Sequence, residues 1–217
     1  MKTATRKKRI AVWGAGGHGH VVADILLRIG GWQVVGFVDN VHAKGDVVMG
    51  LPVLGDRDVL PALRADGVEA LVVAIGDPAA HAALMGIARS YRFEQPALVH
   101  PFVSVSPSAK IGEGCVVCAG AIIGPQTEMK AGAIVNSKSS LDHDVVVGHC
   151  THVAPGAIVC GYTTIGDGCW IGTGAVVRDH IAIGSNTVIG AGATVLKDIP
   201  DAVTAYGVPA KIIRRNS

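Results

Sequence analysis

Seventeen large apolar residues recur at intervals of six, without a miss, through the second half of the chain. They are Val99, Val105, Ile111, Val117, Ile123, Met129, Val135, Leu141, Val147, Val153, Val159, Ile165, Ile171, Val177, Ile183, Ile189 and Val195. With large aliphatics at about a third of positions, chance gives such a run roughly once in 10⁸ trials. Four places further on the residue is mostly small, as at Cys115, Ala121, Thr127, Ala133, Thr151 and Ala175, and Gly often follows the apolar residue directly, as at Gly124 and Gly166. This is a hexapeptide repeat, and its physical reading is a β-helix. The large aliphatic points into a narrow prism, the small residue fits where the wall bends, and Gly serves the turn. Three sixes make one triangular coil, so residues 99–199 hold between about five and six coils. Such a solenoid needs caps. The N-terminal domain is available for one end and the tail 200–217 for the other.

Residues 1–98 follow another rule, alternating strand-like with helix-like stretches. Ile10–Trp13, Val34–Val38 and Leu71–Ile75 read as strands. His20–Ile29, a stretch near Asp56–Ala65, and Pro78–Tyr91 read as helices, with a polar loop after the second strand. That alternation predicts a small Rossmann-like α/β domain with a parallel sheet, about half a full dinucleotide-binding fold.

Composition narrows the function classes. Lys plus Arg number 19 and Asp plus Glu 17, a formal charge of +2, which leaves no global basic field for nucleic acid. Mean hydropathy is high at +0.43, yet no run of 18 apolar residues exists to span a membrane. The basic run Arg6-Lys7-Lys8-Arg9 precedes apolar residues as a secretory signal does, but Gly14, Gly16, Gly17 and His18 break the apolar stretch at once. It reads as a solvated tail leading into a buried strand. Five cysteines, an odd number, fit a reducing cytoplasm. Cys115 and Cys118 have C-x-x-C spacing, but Cys115 fills a small-residue slot of the repeat and no second pair supports zinc or redox chemistry.

Gly14-Ala15-Gly16-Gly17-His18-Gly19 matches G-x-G-x-x-G after a strand and before a helix, with Asp39 twenty residues beyond. The pattern suits a diphosphate at a helix N-terminus and a carboxylate on a ribose hydroxyl. A half-sized domain favours a ligand with one nucleoside, such as a nucleotide-sugar, over NAD. Within the repeat, His143 stands two residues after an inward position, at an outward corner, next to Asp144. A flanking carboxylate fixes the tautomer and raises the basicity of an imidazole base. His152 lies half a coil away, so the two are not stacked in one chain, and a groove between neighbouring subunits is where they could approach.

These motifs, with Gly36-Phe37-Val38-Asp39, Ala74-Ile75-Gly76, Asp142-His143-Asp144, Gly148-His149-Cys150-Thr151-His152 and Gly207-Val208-Pro209-Ala210-Lys211, resemble a bacterial family. It is the sialic-acid O-acetyltransferase and bacillosamine N-acetyltransferase family, of which GDP-perosamine N-acetyltransferase is a candidate member. The resemblance runs from Arg9 to Arg214. It implies a left-handed parallel β-helix, a homotrimer, and acetyl-CoA held in grooves between neighbouring β-helices without a metal. It further implies a UDP- or GDP-linked amino sugar of the 4-amino-4,6-dideoxy type as acceptor, for surface glycan (lipopolysaccharide) biosynthesis. By the same resemblance His143 is the general base and Asp144 its partner, in a place where relatives often carry Glu. His152, Gly161, Thr173, Ala191 and Lys211 would line the cofactor. Gly16, Gly17, His18, Asp39, Asn40 and Gly76 would hold the nucleotide-sugar. The alternatives are O-acetylation of a sugar or serine, a β-helical zinc carbonic anhydrase, and a non-catalytic nucleotide-binding sensor or scaffold.

Overall fold

The structure, a computed structural model, describes residues 6–216; the ends of the expected first domain and tail, 1–5 and 217, lie outside the described residues. Two compact units emerge, residues 1–76 with 83–96 and residues 77–82 with 97–217.

In the first unit, strand β1 (Lys8–Trp13) is followed by helix α1 (Gly17–Ile29), β2 (Trp32–Val38), β3 (Val47–Val48), β4 (Leu51–Gly55), α2 (Leu60–Ala65) and β5 (Ala70–Val73). Helix α3 spans Pro78–Ser90. The sheet order is β3-β4-β2-β1-β5, with β2 and β5 parallel to β1 on either side. Ile10, Ala11, Val12, Phe37 and Val38 are fully buried, as the short apolar runs demand.

Two expectations need correction. The loop after the second strand contains the β3–β4 hairpin, turned by Met49 (φ 51°) and Gly50 (φ 77°) in the left-handed region. That mirror-image turn joins two short Val/Leu runs that polar neighbours had masked. The strand begins two residues before Ile10: Lys8 and Arg9 open β1, paired with Glu94 at 2.8 Å and Asp66 at 2.7 Å, while Lys8 stays exposed.

The second unit is the left-handed β-helix. Two-residue strands from Leu98–Val99 to Thr194–Val195 stack into three parallel sheets, each strand paired with those 18 residues away, as Ile134 with His152 and His152 with Trp170. The inward apolar residues from Val117 to Val195 form one continuous buried cluster. The small slots are buried too, and a hydroxyl there has a job. Thr127, Thr151, Thr163 and Thr187 each donate to a carbonyl of the next coil, on Asp142, Gly166, Arg178 and Pro200 respectively. This satisfies a polar group inside the wall while stitching coil to coil.

The segment expected as a tail is a hairpin. Val203–Tyr206 joins the sheet that carries His152 and pairs antiparallel with Lys211–Arg215. Val203 and Ala205 are buried in the prism core and close its C-terminal end.

Candidate functional site

In the β-helix, His143 sits at the corner between strands Ser140–Leu141 and Val146–Val147. Its Nδ1 is 3.0 Å from Asp144 Oδ2, a direct contact despite the short carboxylate side chain. Nδ1–H donates to the carboxylate, which leaves Nε2 as the acceptor. The backbone makes this possible: Asp144 adopts φ 56°, and its N–H donates to Pro125 O at 2.8 Å. Asp142 completes the turn by accepting from the His143 N–H at 2.8 Å. The imidazole lies over Gly161 in the next coil, where a Cβ would be 2.4 Å from His143 Cε1. Tyr162 meets the imidazole edge-on at 5.0 Å between centroids.

His152 occupies the outer surface of the third sheet and is only 4% exposed. Its Nε2 lies 3.0 Å from Asn136 Nδ2, which donates to it, and its ring packs at 4.4 Å on Trp170. Sequence reasoning missed Asn136; the signal available was a lone amide beside the inward Val135 on a wall of aliphatics and small residues.

Within one chain these groups do not converge. His143 and Gly161 share the corner joining the first two sheets, while His152 lies on the sheet across the prism from that corner. Thr173 and Ala191 form a ledge at another corner, where Gly192 N donates to Thr173 O at 2.8 Å. Gly174 and Gly192 beside them have open space where a Cβ would stand. That bare, exposed backbone fits a long thin ligand lying along the coils. Lys211 is exposed on the terminal hairpin.

In the first unit, the strand order reverses at β1, and ligands of open α/β sheets bind beyond the strand ends at such a switch point. A cavity of about 280 Å³ opens there, lined by Trp13, Gly14, Asp39, Asn40, Arg57, Ile75 and Leu84. The glycine motif divides by role. Gly14 (φ 113°) and Gly19 are packing positions, since a Cβ on Gly19 would stand 2.0 Å from Gly14 O. A Cβ on Gly16 or Gly17 at the start of α1 would meet nothing within 4 Å, which leaves that helix end open to a ligand. His18 follows in the first turn, half-buried, and Gly76 lies just past β5.

Asp39 is committed to the protein. Its Oδ2 accepts from Ala15 N at 2.8 Å, and its Oδ1 from Val41 N, His42 N and His42 Nδ1. Burial alone pushes this carboxyl up, yet the donors on Ala15, His42 and Val41 together hold it down to about 2. Its geometry is that of a strut between the glycine turn and the end of β2, with Asn40 beside it facing the cavity. Arg57 and Trp13 are cavity residues that the motif alone does not flag.

Comparison with known proteins supports the two-part fold. Residues 9–86 match the PglD N-terminal domain, 104–125 the hexapeptide repeat of succinyl-transferase and 162–197 the bacterial transferase hexapeptide. The acetyltransferase domain of PglB from Neisseria gonorrhoeae FA1090 is 38% identical, with a TM-score of 0.90 over 95% of this chain and 100% of that one. PerB from Caulobacter crescentus, solved in complex with CoA and GDP-perosamine, is 37% identical, with a TM-score of 0.91 over 96% and 99%.

The chain belongs to the hexapeptide-repeat acetyltransferase family of PglB and PerB.

A curated relative, the bifunctional protein GlmU of Pelobacter propionicus, is 35% identical over 75 residues, and the match spans 16% of its length. For a member of this family the cysteines are unremarkable: burial pushes the Cys115 and Cys118 thiols up to about 12, which keeps them neutral and inert. No helix among the described residues is long and apolar enough to cross a membrane.

Proposed function

We propose that the protein transfers the acetyl group of acetyl-CoA to the amine of a nucleotide-linked amino sugar, with His143 as general base. The observation that carries this reading is the His143–Asp144 pair, 3.0 Å apart at an outward corner with Nε2 left to accept. An ammonium has no lone pair to attack a thioester, so the amine must shed a proton before or during attack. His143 Nε2 receives a proton from the amine nitrogen as that nitrogen takes the acetyl group. The carbon–sulfur bond breaks with its electron pair leaving on the CoA thiolate, which takes up a proton to depart as the thiol. Asp144 stabilises the imidazolium that results. No covalent acyl-enzyme is required, and the thiols of Cys115 and Cys118 are held neutral. The relatives that bind CoA with GDP-perosamine support the substrate class.

The nucleotide-sugar binds at the switch point of the first unit, with its diphosphate at Gly16, Gly17 and His18 and its nucleoside near Asn40 and Gly76. Asp39 orders that turn. Acetyl-CoA lies along the β-helix, by Thr173 and Ala191, with His152 and Gly161 near the thioester and Lys211 near its phosphates. Because His143 and His152 lie on opposite sides of one prism, a site that uses both draws on two chains. The homotrimer supplies that arrangement. The acceptor is of the 4-amino-4,6-dideoxy type, made for surface glycan in the cytoplasm.

The test is thiol release from acetyl-CoA against a panel of UDP- and GDP-linked amino sugars and their hydroxy counterparts. Turnover with an amino sugar is the expected result. Turnover confined to the hydroxy sugars overturns amine acetylation, and none at all overturns the enzyme.

A further inference from the structure

The corner that carries His143 differs from the other two corners of the prism. At each turn of a coil one residue takes a left-handed backbone, and elsewhere glycine usually supplies it, as at Gly120, Gly132, Gly156, Gly168, Gly174 and Gly192. On the His143 corner the same position is filled in four successive coils by Gln126 (φ 58°), Asp144 (φ 56°), Tyr162 (φ 57°) and His180 (φ 55°). That conformation is unfavourable for a bulky side chain. Tyr162 does not recover the loss by burial, since it is 54% exposed.

What Tyr162 does touch is specific. Its ring meets the His143 imidazole edge-on, at 5.0 Å and 79° between planes. The adjoining coil's His180 stacks on it at 4.7 Å and 16°. The Tyr162 N–H donates to His143 O at 3.2 Å, a coil-to-coil bond that the Asp144 and His180 N–H groups also make at this corner, so it is the ring that singles out His143.

We propose that Tyr162 is a positioning residue for the His143 base, holding the imidazole over Gly161 and against Asp144, and that His180 braces the tyrosine. The inference rests on His143 being the base of the proposed reaction. An imidazole fixed only by one hydrogen bond at Nδ1 still swings about its Cα–Cβ and Cβ–Cγ bonds, carrying Nε2 away from the substrate amine. Gly161 beneath it and Asp144 beside it leave one side open. The Tyr162 ring closes that side through an edge-to-face contact that needs the ring and not the hydroxyl.

Two measurements test this. Kinetically, Tyr162→Ala lowers kcat about ten-fold with both KM values within about two-fold, and Tyr162→Phe recovers most of the loss. In a His143→Asn background Tyr162→Ala has no further effect, since there is no imidazole left to hold. A full additional loss in that background, or an unrecovered loss in Tyr162→Phe, overturns the proposal. Independently of turnover, NMR of ring-labelled histidine reports the His143 Cε1–H signal directly. The expected result is a sharp signal in the wild type and Tyr162→Phe, displaced or broadened in Tyr162→Ala. An unchanged His143 signal in Tyr162→Ala refutes the positioning role. A displaced signal in a protein that acetylates no amino sugar refutes the proposed reaction instead and leaves the contact standing.

Discussion

The imidazole of His143 rests on the α-carbon of Gly161, one coil further along, where even a methyl group would stand 2.4 Å from Cε1. At Gly161 it is the space under the imidazole, not a left-handed backbone, that calls for glycine. The group in the way is an exposed side chain, so the cheap response to a larger residue is for His143 to swing out. Gly161→Ala is expected to leave the melting temperature within a few degrees and to lower kcat about ten-fold or more, since a catalytic group displaced by an ångström loses that much. Thermal melts beside steady-state kinetics check it. Full activity in Gly161→Ala would show that the imidazole works from another position.

His143→Asn removes the proton acceptor and leaves the corner intact. It is expected to lower kcat about 10²–10⁴-fold, the usual worth of a general base, with both KM values little changed. Some activity should return at high pH, where more of the substrate amine is free. Asp144→Asn should fall between this variant and the wild type, because it weakens the base without removing it. Retention of most neutral-pH activity in His143→Asn would mean that another group takes the proton.

Asp39 gives a prediction with a pH sign. Its carboxyl is lowered from 3.8 to about 2 in the folded protein. A depressed folded value means that the stabilisation is present above the unfolded value and is lost as pH falls from about 4 towards 2. Asp39→Asn, which turns an amide N–H towards one of the donors now bonded, should remove that stabilisation at neutral pH. The variant should accordingly show a flatter acid limb in melts across this window. Its KM for the nucleotide-sugar should rise about ten-fold, because the glycine turn proposed to hold the diphosphate loses its strut and must be ordered on binding, with the KM for acetyl-CoA unchanged. Equal damage to both KM values would contradict the strut between Ala15 and the end of β2.

The β-helix was legible because its geometry forces the sequence: inward positions every six residues admit only aliphatics, and Val117 to Val195 are buried accordingly. The corner position of His143 follows from counting two residues past Leu141. What the repeat does not encode is contact between coils. The Asn136–His152 and Tyr162–His180 pairs join residues 16 and 18 apart whose side chains no periodic slot constrains. The β3–β4 hairpin escaped for a different reason, since its turn uses Met49 in a left-handed backbone that no residue preference announces. Asp39 stood out by spacing from the glycine motif, but its saturation by Ala15, Val41 and His42 is a property of the folded loop.

The last prediction concerns how many chains build one site. His143 occupies a corner of the prism and His152 the sheet across from it. If one site needs both, each must come from a different chain of the proposed homotrimer. His143→Asn and His152→Ala are then each expected to be nearly inactive alone, because each removes one half of every site. Co-expressed with distinguishable tags and purified as mixed trimers, they should regain activity. In a closed ring of three, every trimer that holds both variants has one junction at which an intact His143 faces an intact neighbouring His152, hence about a third of wild-type activity. Light scattering must show a trimer in all three samples. Mixed trimers that stay as inactive as the parents would place both histidines in service of the same chain's site, contrary to the arrangement proposed, and a fully active monomer would remove the basis for it.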